Sequence, residues 1–217
     1  MLKRQPIWNS SDYQEFKCAR PLDFSYRNLE SLDELNRNEK TWPLSVRGTP
    51  KKGRQSKRYR TSSFWLNNNH FKHVNGLKNL TNILFEKTDY LSWLDLSSNR
   101  LTVISDEFLL FPNLSMLFLH QNNIQNLSEV YKLRKLKELK TLTLYNNPLC
   151  MGIKYRTIVI RMLPQIRKLD NVVVVSSERE SKKLLDKDTW FHLKEACPEE
   201  FSRQFNNSGA MVNQKLF

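Results

Sequence analysis

Between Leu91 and Cys150 the apolar and polar positions follow one repeating rule. The segments LSWLDLSSNRLTVI, LSMLFLHQNNIQNL and LKTLTLYNNPLC share it. Each reads apolar, two positions, apolar, one position, apolar, two positions, Asn, one position, apolar. The first copy uses Leu91, Leu94, Leu96, Asn99, Leu101 and Ile104. The second uses Leu114, Leu117, Leu119, Asn122, Ile124 and Leu127, and the third Leu139, Leu142, Leu144, Asn147 and Leu149. Leu91, Leu114 and Leu139 open the copies, so the rule returns after 23 and then 25 residues. A period of about 20–29 residues with this spacing predicts a stacked array in which each unit is one short strand and a return segment.

The array extends in both directions. In SSFWLNNNHFKHV, the positions are filled by Phe64, Leu66, Asn69, Phe71 and Val74. Leu77, Leu80, Ile83 and Leu84 follow at helical spacing and predict a helix in that return. Upstream, PLDFSYRNLESL places Leu22, Phe24, Leu29 and Leu32 on the rule, with Arg27 where Asn is due. That predicts a degenerate first repeat acting as a cap. Downstream, Tyr155 to Leu163 predicts a helix, Pro164 opens a final short strand, and Ile166 and Leu169 complete a C-terminal cap.

The expected organisation is an irregular segment at 1–20, a degenerate repeat with a basic insert at 21–60, a repeat domain with its cap at 61–175, and a charged helical extension at 176–217. The insert KKGRQSKRYR carries Lys51, Lys52, Arg54, Lys57, Arg58 and Arg60 and no apolar period. It reads as a mobile loop whose cations contact an acidic partner, serve as a nuclear-import signal, or stay solvated.

The fold class is therefore α/β: a leucine-rich repeat solenoid with a parallel concave β-sheet and short convex helices. Asn69, Asn99, Asn122 and Asn147 are scaffold, because each leaves its strand into a turn whose backbone groups need partners. Function must come from the strand positions that alternate outward. Those include Trp65 and Asn67, Trp93 and Asp95, Met116, Phe118 and His120, and Thr143 and Tyr145. A line of aromatic side chains on a wet face is costly unless it is covered, and such residues dominate binding energetics. These nine residues are the candidate partner site. The competing reading is that terminal segments of the same chain cover them.

The formal net charge of +13 favours acidic partners without choosing among them. Cys18, Cys150 and Cys197 are scattered and lack CxxC spacing, which fits neither a disulfide framework nor a structural zinc. No apolar run approaches the roughly 18 residues of a membrane span. Of His70, His73, His120 and His192, the first two have no Cys or acidic neighbour at ligand spacing, and no Ser or Cys nucleophile accompanies His120 and Asp95, which are expected to share a surface hydrogen bond. Neither enzyme, cofactor nor metal is expected.

The segment KYRTIVIRMLPQIRKLD, with Tyr155-Arg156, Leu163-Pro164 and Leu169-Asp170, resembles the cap of a short leucine-rich repeat class. That class includes a phosphatase regulator, an axonemal dynein light chain and the spliceosomal U2 A-prime protein. Four segments in order, PLDFSYRNL, SFWLNNN, LSWLDLSSNRLTVI and NLSMLFLHQNNIQNLSEVYKL, are similar to a cilium-associated family within it. The resemblance implies a cytoplasmic, non-enzymatic structural protein of the ciliary or flagellar axoneme. Its partners would be axonemal proteins on the concave face, with tubulin at the basic insert. Scaffolding of an RNA-protein assembly and phosphatase regulation are the alternatives. Direct nucleic-acid binding is not expected, since no RNA-binding fold signature is present.

Overall fold

A computed structural model describes residues 10–36, 48–152 and 154–180. Among the described residues, seven strands form one sheet in chain order: β1 (Leu22–Asp23), β2 (Ser63–Trp65), β3 (Trp93–Asp95), β4 (Met116–Phe118), β5 (Thr141–Thr143), β6 (Lys168–Leu169) and β7 (Val172–Val173). β1 to β6 run parallel, and β7 turns back antiparallel on β6. The repeat rule sets the register. Phe64, Leu94, Leu117, Leu142 and Leu169 are neighbours across successive strands and are all fully buried. Burial of such a side chain stabilises by about 1.5–3 kcal/mol, so the inward row holds the stack in register.

The return segments lie behind the sheet. They are α2 (Asp33–Asn36), α3 (Leu77–Leu84), a 3-10 turn (Asp106–Leu110), α4 (Ser128–Tyr131) running into a second 3-10 turn (Lys132–Lys135), and α5 (Tyr155–Met162). Leu77, Leu80 and Leu84 face the core, as their spacing predicts, whereas Ile83, counted with them, turns half exposed to solvent. The start of α3 has Gly76 at φ 83 and no side-chain cap of its own. Glu107 of the next rung supplies one, accepting from Gly76 N at 2.5 Å and Lys78 N at 2.8 Å. Otherwise these donors would be orphans of the first turn.

The asparagines form the expected ladder. Asn99 Nδ2 donates to Leu66 O and Leu96 O, both at 3.0 Å, while its Oδ1 accepts from Phe71 N at 3.1 Å. Asn122 bridges Leu96 O, Leu119 O and Leu101 N in the same way. So does Asn147 with Leu119 O, Leu144 O and Ile124 N. The residues before Asn69, Asn99, Asn122 and Asn147 are left-handed: Asn68, Ser98, Gln121 and Asn146 have φ between 53 and 56. At the first rung Arg27 stands where the Asn is due. Its N–H instead donates to Asn69 Oδ1 at 3.0 Å, so the cap borrows its neighbour's Asn.

Asp170 closes the other end. Its Oδ1 accepts from Leu144 N at 2.6 Å and Tyr145 N at 3.0 Å, and its Oδ2 accepts from the Tyr155 hydroxyl at 2.9 Å. Burial and this carboxylate both push the Tyr155 phenol far up, so it stays a donor. Arg156 ties the cap to α6 (Ser176–Glu180) through Glu178 at 2.6 Å and reaches Leu169 O. The rest of the predicted C-terminal extension lies outside the described residues.

Two expectations are corrected. The segment read as irregular contains a helix, α1 (Ser11–Cys18), with Ser10 accepting from Tyr13 N as its N-cap. Tyr13 and Phe16 are buried against the edge of Tyr90, with ring centroids 5.3 and 5.1 Å away. The basic insert is also not a mobile loop. Lys52 pairs with Tyr59 antiparallel, and Tyr59 bridges to Phe85 in parallel. Gly53 N donates to Arg58 O at 2.8 Å, and a Cβ on Gly53 would strike the Glu86 carboxylate. Like charge does not unfold the insert, because Tyr59 is buried and fastens it to the core.

Candidate functional site

Strand register arranges the outward residues as a lattice on the concave face. One row runs Ser63, Trp93, Met116, Thr141, Lys168. The next runs Asp23, Trp65, Asp95, Phe118, Thr143. Parallel strands lie about 4.8 Å apart, so lateral neighbours touch.

A continuous file of rings crosses this lattice. Trp65 meets Trp93 edge-on at 5.1 Å between centroids, and Trp93 meets Phe118 at 5.7 Å. Phe118 lies 6.2 Å from His120, which stacks on Tyr145 at 4.4 Å and 15°. Each contact of this type adds about 0.5–1.5 kcal/mol beyond area burial and fixes ring orientation. All five side chains remain partly exposed, as do Asn67, Asp95 and Met116. The Trp93 indole N–H is enclosed and has no acceptor among the described residues.

Thr143 is the exception. It is 1% exposed, and its hydroxyl lies 2.8 Å from His120 Nδ1. Thr143 therefore supports His120 from beneath and does not itself meet a partner. The expected hydrogen bond between His120 and Asp95 is also absent. Asp95 Oδ1 accepts instead from Ser97 N at 2.9 Å and Ser97 Oγ at 2.6 Å. The same Asp-x-Ser turn recurs on β1, where Asp23 Oδ1 accepts from Ser25 N and Oγ.

Burial raises the Asp95 carboxyl above its usual range, opposed by the Ser97 bonds and by His120, and reinforced by the like charge of Asp23. Burial lowers His120, opposed by Asp95 and Asp170. The imidazole is thus neutral near neutral pH and behaves as one more ring of the file. Burial also raises Tyr145. Among the described residues no cluster of His, Cys, Asp or Glu is assembled to hold a metal ion. No described helix is long and apolar enough to cross a membrane.

The basic insert divides into two parts. Lys51, Lys52, Arg54, Lys57 and Arg58 are exposed. Arg60 is not available to a partner. Its guanidinium is shared by Asp12 at 3.3 Å, Glu15 at 3.2 Å and Glu86 at 3.4 Å, and it lies over the Phe16 ring. Arg60 clamps α1 to the repeats, together with Lys87, which pairs with Asp12. Nothing in the local charge pattern distinguished Arg60 from its neighbours. The signal lay in the acids Asp12 and Glu15 on α1.

Comparison with known proteins agrees with this architecture. A leucine-rich repeat family matches residues 66–196. Leucine-rich repeat-containing protein 51 of Macaca mulatta is 37% identical over 172 residues, covering 79% of this chain and 88% of that protein. The human protein of that name is 36% identical over the same shares. Human cilia- and flagella-associated protein 410 is 42% identical over 67 residues, covering 30% of this chain and 26% of that protein. Among solved structures, the Drosophila melanogaster SNF/U2A' complex contains a chain of the same fold, with TM-score 0.59 and 24% identity, covering 82% of this chain and 88% of that one. By its repeats, its caps and these relatives, the chain belongs to the leucine-rich repeat proteins and, within them, to the leucine-rich repeat-containing protein 51 family.

Proposed function

We propose that the chain is a non-enzymatic structural component of the ciliary or flagellar axoneme that grips a protein partner on its concave face. The observation that carries this reading is the unbroken file Trp65, Trp93, Phe118, His120 and Tyr145 on the outward side of the sheet. Pre-ordered aromatic side chains lose little entropy on association and make strong anchors. The cilium enters through the resemblance of the repeats and through the partial relative whose name associates it with cilia and flagella. The exposed cations of the hairpin, Lys51, Lys52, Arg54, Lys57 and Arg58, suit an acidic protein surface such as tubulin tails.

The test is fractionation of cilia from cells that express the chain. Axonemes are isolated, extracted with salt and analysed by mass spectrometry. The chain is expected in the axoneme at low salt and in the extract at high salt, because screened charges contribute to its retention. Its absence from both fractions contradicts the reading.

A further inference from the structure

The chain is strongly basic, with a formal net charge of +13, yet the strands around the aromatic file are not, and the first cation of the outward rows is Lys168 on β6. The outward positions of β1 to β5 carry two carboxylates, Asp23 and Asp95, and no Lys or Arg. Asp95 sits at the centre of the aromatic file. Trp65 flanks it on β2 and Phe118 on β4, and Trp93 precedes it by one outward position on its own strand. Both Ser97 bonds go to Oδ1, and Oδ2 accepts no hydrogen bond among the described residues.

A carboxylate ringed by aromatic faces has one natural complement. The ring quadrupoles attract a cation, and the free carboxylate oxygen accepts its N–H groups. An arginine fits best, since its planar guanidinium stacks on indole while donating in its own plane. An apolar side chain would instead bury Oδ2 without a partner, which is unfavourable. Burial already holds Asp95 in an unfavourable environment for a charge, and a bound cation relieves that penalty.

We propose that the partner is a protein segment that inserts a basic side chain, preferably arginine, over Asp95 between Trp65, Trp93 and Phe118. This deepens the proposed function and rests on the concave face being the docking surface. The partner is selected by charge as well as by apolar area, and a segment bearing an acid at that position is rejected.

The test is selection of binders to the purified full chain from a random-peptide display library. The expected peptides contain arginine or lysine. They lose at least about tenfold in affinity when that residue is replaced by citrulline or norleucine, and comparably with Asp95→Asn. Benzoylphenylalanine introduced at Met116 should cross-link the bound peptide. Peptides that depend on Trp93 and Phe118 but tolerate both Asp95→Asn and loss of their basic residue overturn the inference and leave the concave site standing. Peptides indifferent to Trp93→Ala, or a failure to select any, overturn both. Cross-linking at position 116 to the chain itself or to a second copy assigns the face to another occupant and overturns the inference.

Discussion

Trp93 and Phe118 meet edge-to-face at 5.7 Å, although their Cα atoms are not register partners: Trp93 pairs with Met116, and Phe118 with Asp95. The contact is a diagonal across β3 and β4. It binds the two outward rows into one surface, so truncating either ring opens a gap in the face without touching the core.

Scaffold and face should therefore separate under mutation. Trp93→Ala removes contacts to Trp65 and Phe118 and should lower stability by about 1–2 kcal/mol. Leu96→Ala empties a fully buried position and should cost about 2–5 kcal/mol. Urea unfolding of the two variants checks the ordering, and a Trp93 variant as unstable as the Leu96 variant would place the indole in the core.

The ladder should reject a charge. Asn122→Asp keeps the acceptor for Leu101 N but turns an anionic oxygen towards Leu96 O and Leu119 O. It should destabilise by at least about 1–3 kcal/mol at neutral pH, since each carbonyl loses one of its two amide donors, keeping only Asn99 or Asn147, and faces a buried anionic oxygen instead. Acidification should recover part of the loss, because a protonated carboxyl can donate. Unfolding at neutral and acid pH tests this, and equal losses at both would contradict it.

Asp95 should cost stability that a partner recovers. Its folded pKa is raised, so the charged form is disfavoured by folding, and the penalty is largest above that pKa. Asp95→Asn should therefore raise the melting temperature at neutral pH. The advantage should shrink as pH falls through the raised pKa towards the ordinary carboxylate range, where Asp95 itself protonates. A pH series of thermal melts reads this, and an advantage that grew on acidification would reverse the assignment.

Arg60→Ala should release α1. It removes the cation shared by Asp12, Glu15 and Glu86 and leaves Lys87 and the Tyr90 hydroxyl on Asp12. The Asp12 carboxyl is lowered chiefly by Lys87, so its share of the clamp is present above the ordinary Asp range and fades as pH falls through the lowered pKa. Amide exchange over Ser11–Cys18 should accelerate in the variant while exchange in β3 and β4 stays slow. Unchanged exchange in α1 would show that the packing of Tyr13 and Phe16 and the bonds from Lys87 and Tyr90 to Asp12 hold it without Arg60.

The repeats were legible because Leu and Asn recur with a fixed spacing, and the register of β2 to β5 follows from that spacing alone. The outward row was legible for the same reason. What escaped was fixed by contacts far apart in sequence. Helix α1 has only Tyr13 and Phe16 to mark its buried side, and their partner Tyr90 lies in another rung. The insert hides behind its charges, because Tyr59 is its one apolar residue and the acids that hold Ser56 and Arg60 lie far off in sequence. Thr143 alternates outward as expected, yet His120 covers it, and no alternation rule reports the packing of one outward side chain over another.

Retention of a Trp93→Ala, Phe118→Ala double variant in the axoneme measures most directly whether the concave face holds the partner. The variant is expressed in place of the natural chain, its fold is checked by thermal melting, and its partition between axoneme and soluble fraction is quantified. A folded variant that moves to the soluble fraction is the expected result. A folded variant retained as fully as the natural chain would contradict the assignment of this face.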